Sequence, residues 1–178
     1  ARSFQGTALW QMSDLVVAEL FVEFGRTVTS LSLEALQEVH KAFGELIKLG
    51  LVEDKPYKVF GAQAEGCNPV ATAHKAGVDA IRPVKPNTIA KSLAIGNPAD
   101  GIYVLDIARQ TGGAVEEVSD DEIREAIVLL ARTEGIFTEP AGGTTLACAI
   151  KLIESGRIPK DESVCISITG NGLKTIEA

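Results

Sequence analysis

The sequence predicts an α/β fold: a three-layer αβα domain around a largely parallel sheet. Three observations point there. Apolar runs of strand length alternate with amphipathic runs of helix length, the pattern of strands joined by helical crossovers. Glycines punctuate the junctions, 17 of 178 residues, while aromatic residues are only 5%, a balance that suits tight strand-to-helix turns. The length is right for one core that needs neither disulfides nor metals. A single domain is therefore expected over residues 1–178.

Each element has its own signal. Residues 15–24 are rich in Val, Leu and Phe and read as a strand, with Glu19 and Glu23 arguing against full burial. Ser32 is placed to cap a helix to about residue 49, with Leu33, Leu36, Val39, Phe43, Leu46 and Ile47 on one face and Gly50 at its C-cap. Residues 57–64 read as a strand and 69–75 as a short helix. The stretch 78–98 is loop, punctuated by Pro83, Pro86, Gly96 and Pro98. A helix is expected over 101–110, ended by Gly112 and Gly113, and a brief strand over 115–118. Asp120 is read as the N-cap of the next helix, with Asp121 and Glu122 in its first turn, running to Gly135. A helix over about 142–154 and a strand over 163–168 complete the order.

Composition narrows the function. A net charge of −7 and the absence of any basic run argue against a nucleic-acid or anionic-membrane surface. Cys67, Cys148 and Cys165 are far apart and form no CxxC pair, so they are expected to be buried free thiols in a reducing compartment, with the cytoplasm as the default location. His40 and His74 lack metal-ligand spacing; His40 is expected along a helix surface, and no metal site is expected. The chain opens at Ala1 without an initiator methionine.

In a parallel sheet, ligands bind beyond the carboxyl ends of the strands. That directs attention to the loops after Ala64 and after Ile168. Five stretches stand out: Gly61-Ala62-Gln63-Ala64-Glu65-Gly66, Lys85-Pro86-Asn87-Thr88-Ile89-Ala90, Ile95-Gly96-Asn97-Pro98-Ala99, Glu134 through Gly143 with Glu139-Pro140 at a helix start, and Ser167-Ile168-Thr169-Gly170-Asn171-Gly172-Leu173-Lys174. In this order they resemble the C-terminal half of threonine synthase, a fold-type II pyridoxal-phosphate lyase. The resemblance covers about residues 46–178, whereas residues 1–31 diverge.

The resemblance implies the large-domain fold of those enzymes, pyridoxal phosphate as cofactor and a small-molecule substrate. It implies that the residue matching Thr169 hydrogen-bonds the cofactor's pyridine nitrogen; a neutral hydroxyl does so without forcing a proton onto the ring. Gly170 and Asn171 are implied in the same turn, and Glu65, Asn97 and Glu139 as neighbours of the cleft. Read without the resemblance, Thr169 is a strand-ending residue, Gly170-Asn171-Gly172 a chain reversal, Asn97 a turn former and Glu139 a helix-start residue.

Two family features are missing. The lysine that forms the Schiff base, normally in an N-terminal Ser-Phe-Lys-Asp-type motif, has no counterpart in this sequence. Residues 21–32, Phe-Val-Glu-Phe-Gly-Arg-Thr-Val-Thr-Ser-Leu-Ser, stand where the family has a glycine-rich phosphate loop, although Arg26, Thr29, Ser30 and Ser32 retain anion-binding groups. The expected function is therefore the C-terminal part of a threonine synthase-like lyase, inactive alone, with no catalytic residue of its own. Self-association or pairing with an N-terminal segment is expected with it. A threonine dehydratase-like lyase and a non-catalytic α/β module that binds a small anion or a partner chain are the alternatives.

Overall fold

The computed structural model describes residues 27–30 and 33–177, with side chains described from residue 40 onward. The strand expected over 15–24 lies outside the described residues, as do Arg26 and Ser32. Strand β1 (Thr27–Ser30) is followed by α1 (Leu33–Lys48), β2 (Lys58–Ala64), α2 (Pro69–Ala76), α3 (Gly101–Gln110), β3 (Ala114–Val118), α4 (Asp120–Glu134), α5 (Pro140–Glu154) and β4 (Val164–Ile166). Short 3-10 turns lie at Lys91–Leu93 and Gly172–Lys174. The described strands form one parallel sheet in the order β3-β2-β1-β4. Val28 lies opposite both Val59 and Cys165, and Ala62 opposite Glu116.

Residues 27–30, in the stretch where the family has its phosphate loop, form a strand between β2 and β4. Thr27, Val28 and Thr29 are β-branched, and such side chains favour the extended backbone.

Strand β2 shows why the domain has three layers. Every residue of it after Lys58 is buried, as expected for a parallel strand covered on both faces. Its alternate side chains serve different clusters. Val59 packs with Val70, Val104, Leu105, Ala108 and Val115, from α2, α3 and β3. Phe60 points the other way, to Leu152 and Ile158, and Ala62 and Ala64 meet Ile123, Ala126, Ala147 and Cys148 of α4 and α5. Each large side chain so buried contributes about 1.5–3 kcal/mol. Tyr57 joins α1 to the first face, touching both Phe43 and the Val59 cluster.

The caps place the helix ends. After α1, Leu51 N–H donates to the Leu46 carbonyl at 3.0 Å and Gly50 N–H to the Ile47 carbonyl at 2.9 Å. Gly50 takes φ +69°, the left-handed residue such a helix end requires. Helix α2 has no side-chain cap from Asn68; the buried Gln63 reaches it from β2, its Oε1 accepting from Val70 N at 3.0 Å and Ala71 N at 2.9 Å. The cap of α4 is Ser119, not Asp120. Ser119 and Glu122 bond reciprocally to each other's backbone N–H, and this capping box leaves Asp120 as the first helical residue. His40 is half-buried and not simply on a helix surface, its Nδ1 lying 2.9 Å from the Tyr57 hydroxyl.

Candidate functional site

All four described strands point their carboxyl ends to one edge of the sheet, and two loop clusters stand there. The first follows β4. The Gly170 carbonyl accepts hydrogen bonds from Glu139 N at 3.0 Å and from the buried Thr138 hydroxyl at 3.1 Å. Gly172 N–H donates to the Phe137 carbonyl at 2.9 Å, and Thr138 bridges Asn171 in antiparallel fashion. Residues 137–139, which lead into α5, thus hold 170–172 in place. The side chain of Glu139 fills the space where a Cβ on Gly170 would stand, and the Phe137 ring does the same at Gly172.

Held this way, the turn leaves Thr169 exposed, and its hydroxyl makes no hydrogen bond with a described residue. Asn171 is spent locally: its Oδ1 accepts from Leu173 N at 2.9 Å and starts the 3-10 turn. The threonines in the first turns of α5 are spent as well. Thr144 and Thr145 donate to the carbonyls of Pro140 and Ala141.

The second cluster follows β2 and β3. Glu65 N–H donates to the Val118 carbonyl at 2.8 Å, tying the two strand ends together. Glu65 is exposed, its carboxylate without a described partner. Asn87 N–H donates to the Gly66 carbonyl at 2.8 Å. Thr88, 4% exposed, donates its hydroxyl to Asp120 Oδ1 at 2.5 Å, while Ile89 N–H donates to Asp120 Oδ2 at 3.1 Å. The two clusters flank the carboxyl end of β1, which lies between β2 and β4; two strand spacings are about 10 Å.

The structure therefore joins Glu139, Gly170 and Asn171 in one cluster beside Thr169, and sets Glu65 in the other. Asn97 makes none of the hydrogen bonds that hold either cluster. It is exposed on the turn whose Gly96 carbonyl accepts from Val84 N at 2.9 Å. Reading the sequence for chemistry missed Thr138, which anchors Gly170, and the pairing of Thr88 with Asp120. An open groove of about 680 Å³ between α4 and α5, lined in part by Leu129, Arg132, Ile150 and Glu154, contains none of these residues.

Charge concentrates elsewhere. Lys75 Nζ of α2 lies 2.7 Å from Glu116 and 3.0 Å from Glu117 of β3. Burial would raise the Glu116 pKa, but the Lys75 hydrogen bond, the Glu117 N–H and the charges of Lys75 and Lys151 outweigh it and hold the group below the usual carboxylate range. This network ties α2 and α5 to β3. Among the described residues no group of His, Cys, Asp and Glu side chains is arranged to hold a metal, and no helix is long and apolar enough to cross a membrane.

The family model described as pyridoxal-phosphate dependent enzyme matches residues 40–170, the span that carries both clusters. The chain belongs to that family. Its cofactor is pyridoxal phosphate. Among relatives, the chain is 41% identical over 144 residues to a threonine synthase of Methanocaldococcus jannaschii, covering 80% of this chain and 35% of that protein. It is 42% identical over 137 residues to a threonine synthase of Methanosarcina acetivorans, covering 76% and 34%. The chain thus spans about a third of the length of these relatives. Solved structures agree on the fold. Maize serine racemase matches with a TM-score of 0.65 at 20% identity over 88% of this chain and 46% of that one. The processed threonine deaminase isoform 2 of Solanum lycopersicum matches at 0.64 and 15%, covering 86% and 42%. These neighbours share the fold-type II architecture expected from the sequence.

The donors at the β4 turn suit one end of this family's cofactor. A neutral hydroxyl can hydrogen-bond a pyridine nitrogen without forcing a proton onto the ring. The exposed, uncommitted Thr169 hydroxyl is such a group, and the Phe137–Glu139 segment fixes its backbone.

Proposed function

We propose that this chain is the C-terminal part of a threonine synthase-like lyase, which converts O-phosphohomoserine and water to threonine and phosphate. One observation carries the reading. Thr169 is exposed and unpaired on an anchored turn at the carboxyl edge of the sheet, in a chain 41% identical to a threonine synthase.

Pyridoxal phosphate, when bound, supplies electron withdrawal from the substrate's carbons. The residues of this chain orient the ring and shape the cleft. Thr169 donates its hydroxyl to the pyridine nitrogen. Gly170 and Asn171 form the anchored turn that follows Thr169 and hold it at the edge. Glu139 and Glu65 border the cleft from the two clusters, and Asn97 is a further neighbour on the turn packed against Val84 and Pro86. The lysine that carries the cofactor covalently comes from polypeptide outside these residues, so the chain alone binds the cofactor weakly and turns nothing over. The protein works in the cytoplasm.

A partner surface belongs to the same reading. All three residues of β4 are only half-buried, while β2 is covered on both faces. Leu173 and Ile176, after the β4 turn, are 69% and 73% exposed, apolar side chains of the kind that partners cover. The chain therefore self-associates or pairs with an N-terminal family segment. Size-exclusion chromatography over a range of concentrations tests this, and a monomer throughout contradicts it.

The cofactor part is tested by absorbance on adding pyridoxal phosphate, with and without an N-terminal family segment. Binding strengthened by that segment, and a spectrum altered by Thr169→Ala but kept by Thr169→Ser, are expected. An unchanged spectrum in Thr169→Ala removes the role given to Thr169.

A further inference from the structure

We infer that Asp120 is a positioning residue, which holds the segment 87–89 and the side-chain amide of Asn87 at the carboxyl edge where small molecules bind. The inference rests on the cofactor-site reading above and adds a second wall to it.

Asp120 begins α4, where a carboxylate is favoured by the helix dipole wherever its side chain points. The helix does not need it as a cap, since Ser119 and Glu122 close that end. Both its oxygens instead reach a segment more than thirty residues earlier. Oδ1 accepts from the Thr88 hydroxyl at 2.5 Å and Oδ2 from Ile89 N at 3.1 Å. Hydrogen bonds to an ionised acceptor are about twice as strong as neutral ones. Thr88 is buried, and its oxygen also accepts from Ala90 N at 3.1 Å, which sets the turn that follows. Lys91 Nζ closes the same turn on the Thr88 carbonyl at 2.7 Å.

The segment is gripped from the other side too. Asn87 N–H donates to the Gly66 carbonyl, and the Asn87 carbonyl occupies the place of a side chain on Gly66. Residues 87–89 are thus clamped between the loop after β2 and the junction after β3. What the clamp presents is Asn87, exposed, with a side-chain amide that makes no hydrogen bond to a described residue. A primary amide both donates and accepts, so it suits an oxygen-bearing group of the cofactor or substrate.

The test compares the full chain with Asp120→Ala, Thr88→Val and Thr88→Ser, using amide hydrogen exchange and pyridoxal phosphate titration followed by absorbance. Asp120→Ala and Thr88→Val are expected to speed exchange at residues 87–90 by about tenfold or more while α3 stays protected. They are also expected to weaken pyridoxal phosphate binding several-fold. Thr88→Ser, which keeps the hydroxyl, restores both. Unchanged exchange overturns the inference, and so does faster exchange with unaltered affinity. Should Asp120→Ala fail to fold, the Thr88→Val and Thr88→Ser pair makes the same comparison. A wild-type chain that takes up no pyridoxal phosphate even with the N-terminal family segment present overturns the proposed function instead, and the clamp is then decided by exchange and the serine rescue.

Discussion

The backbone carbonyl of Asn87 occupies the space where a side chain on Gly66 would begin. Backbone cannot step aside as a side chain can, so the loop after β2 and the segment 85–90 tolerate no methyl between them. At Gly170 the occupant is different: the flexible end of the Glu139 side chain.

The two glycines should therefore respond differently to alanine. Gly66→Ala is expected to cost about 1–3 kcal/mol, the usual range for overpacking. Gly170→Ala is expected to cost less than about 1 kcal/mol, because Glu139 swings away. Urea unfolding of the two variants measures both. Equal losses would contradict the distinction between backbone and side-chain occupants.

Gln63 supports α2 from within the sheet. Gln63→Leu leaves the amides of Val70 and Ala71 without their acceptor in a buried place, and the expected loss is about 2–6 kcal/mol at about 1–3 kcal/mol for each unpaired group. Gln63→Glu keeps an acceptor and should lose less. Denaturant midpoints decide, and a neutral Gln63→Leu variant contradicts the capping role.

These contacts also show where sequence reading stops. Strand β2 and the turn after Ile168 were legible, because a short apolar run and a Gly-Asn-Gly run are local signals. So were Thr169 and Glu65 as edge residues, since strand ends mark the edge. The Thr88–Asp120 pair was not legible. It joins distant residues, and Asp120 in a Ser-Asp-Asp run reads as a cap unless the reciprocal Ser119 and Glu122 pair is noticed. The β-branched signal of residues 27–29 was present, but comparison with a phosphate loop obscured it. Nor could spacing show that His40 turns toward Tyr57, because that contact crosses from α1 to the start of β2.

Both histidines are held below their ordinary pKa of 6.5, His40 by burial, and His74 by burial first and then by the charges of Arg157, Arg109 and Lys75 against an opposing Glu116. Below that value the unfolded chain binds protons that the folded chain resists. Stability from these groups is complete above pH 6.5 and is lost as pH falls through the folded values. The urea midpoint is expected to drop between pH 7.5 and 5.5, and less so in a His40→Asn, His74→Asn double variant. A midpoint that rises over that range contradicts the assignment.

Cys67, Cys148 and Cys165 all have pKa values raised by burial, which dominates at each. A thiol reagent reacts with the thiolate. Little colour is therefore expected from the native chain at pH 8, and three equivalents in denaturant. Rapid labelling of Cys148, 1% exposed, in the native chain would contradict the packing of α5 on β2.

The central claim is that Thr169 offers its hydroxyl to the cofactor's ring at the carboxyl edge of the sheet. A crystal structure of the protein carrying this chain with pyridoxal phosphate bound measures it directly. The Thr169 Oγ1 is expected within about 3 Å of the pyridine nitrogen, with Asn87 and Glu139 on the walls around it. A ring seated away from this edge, or a Thr169 hydroxyl left to solvent beside a bound ring, would contradict it.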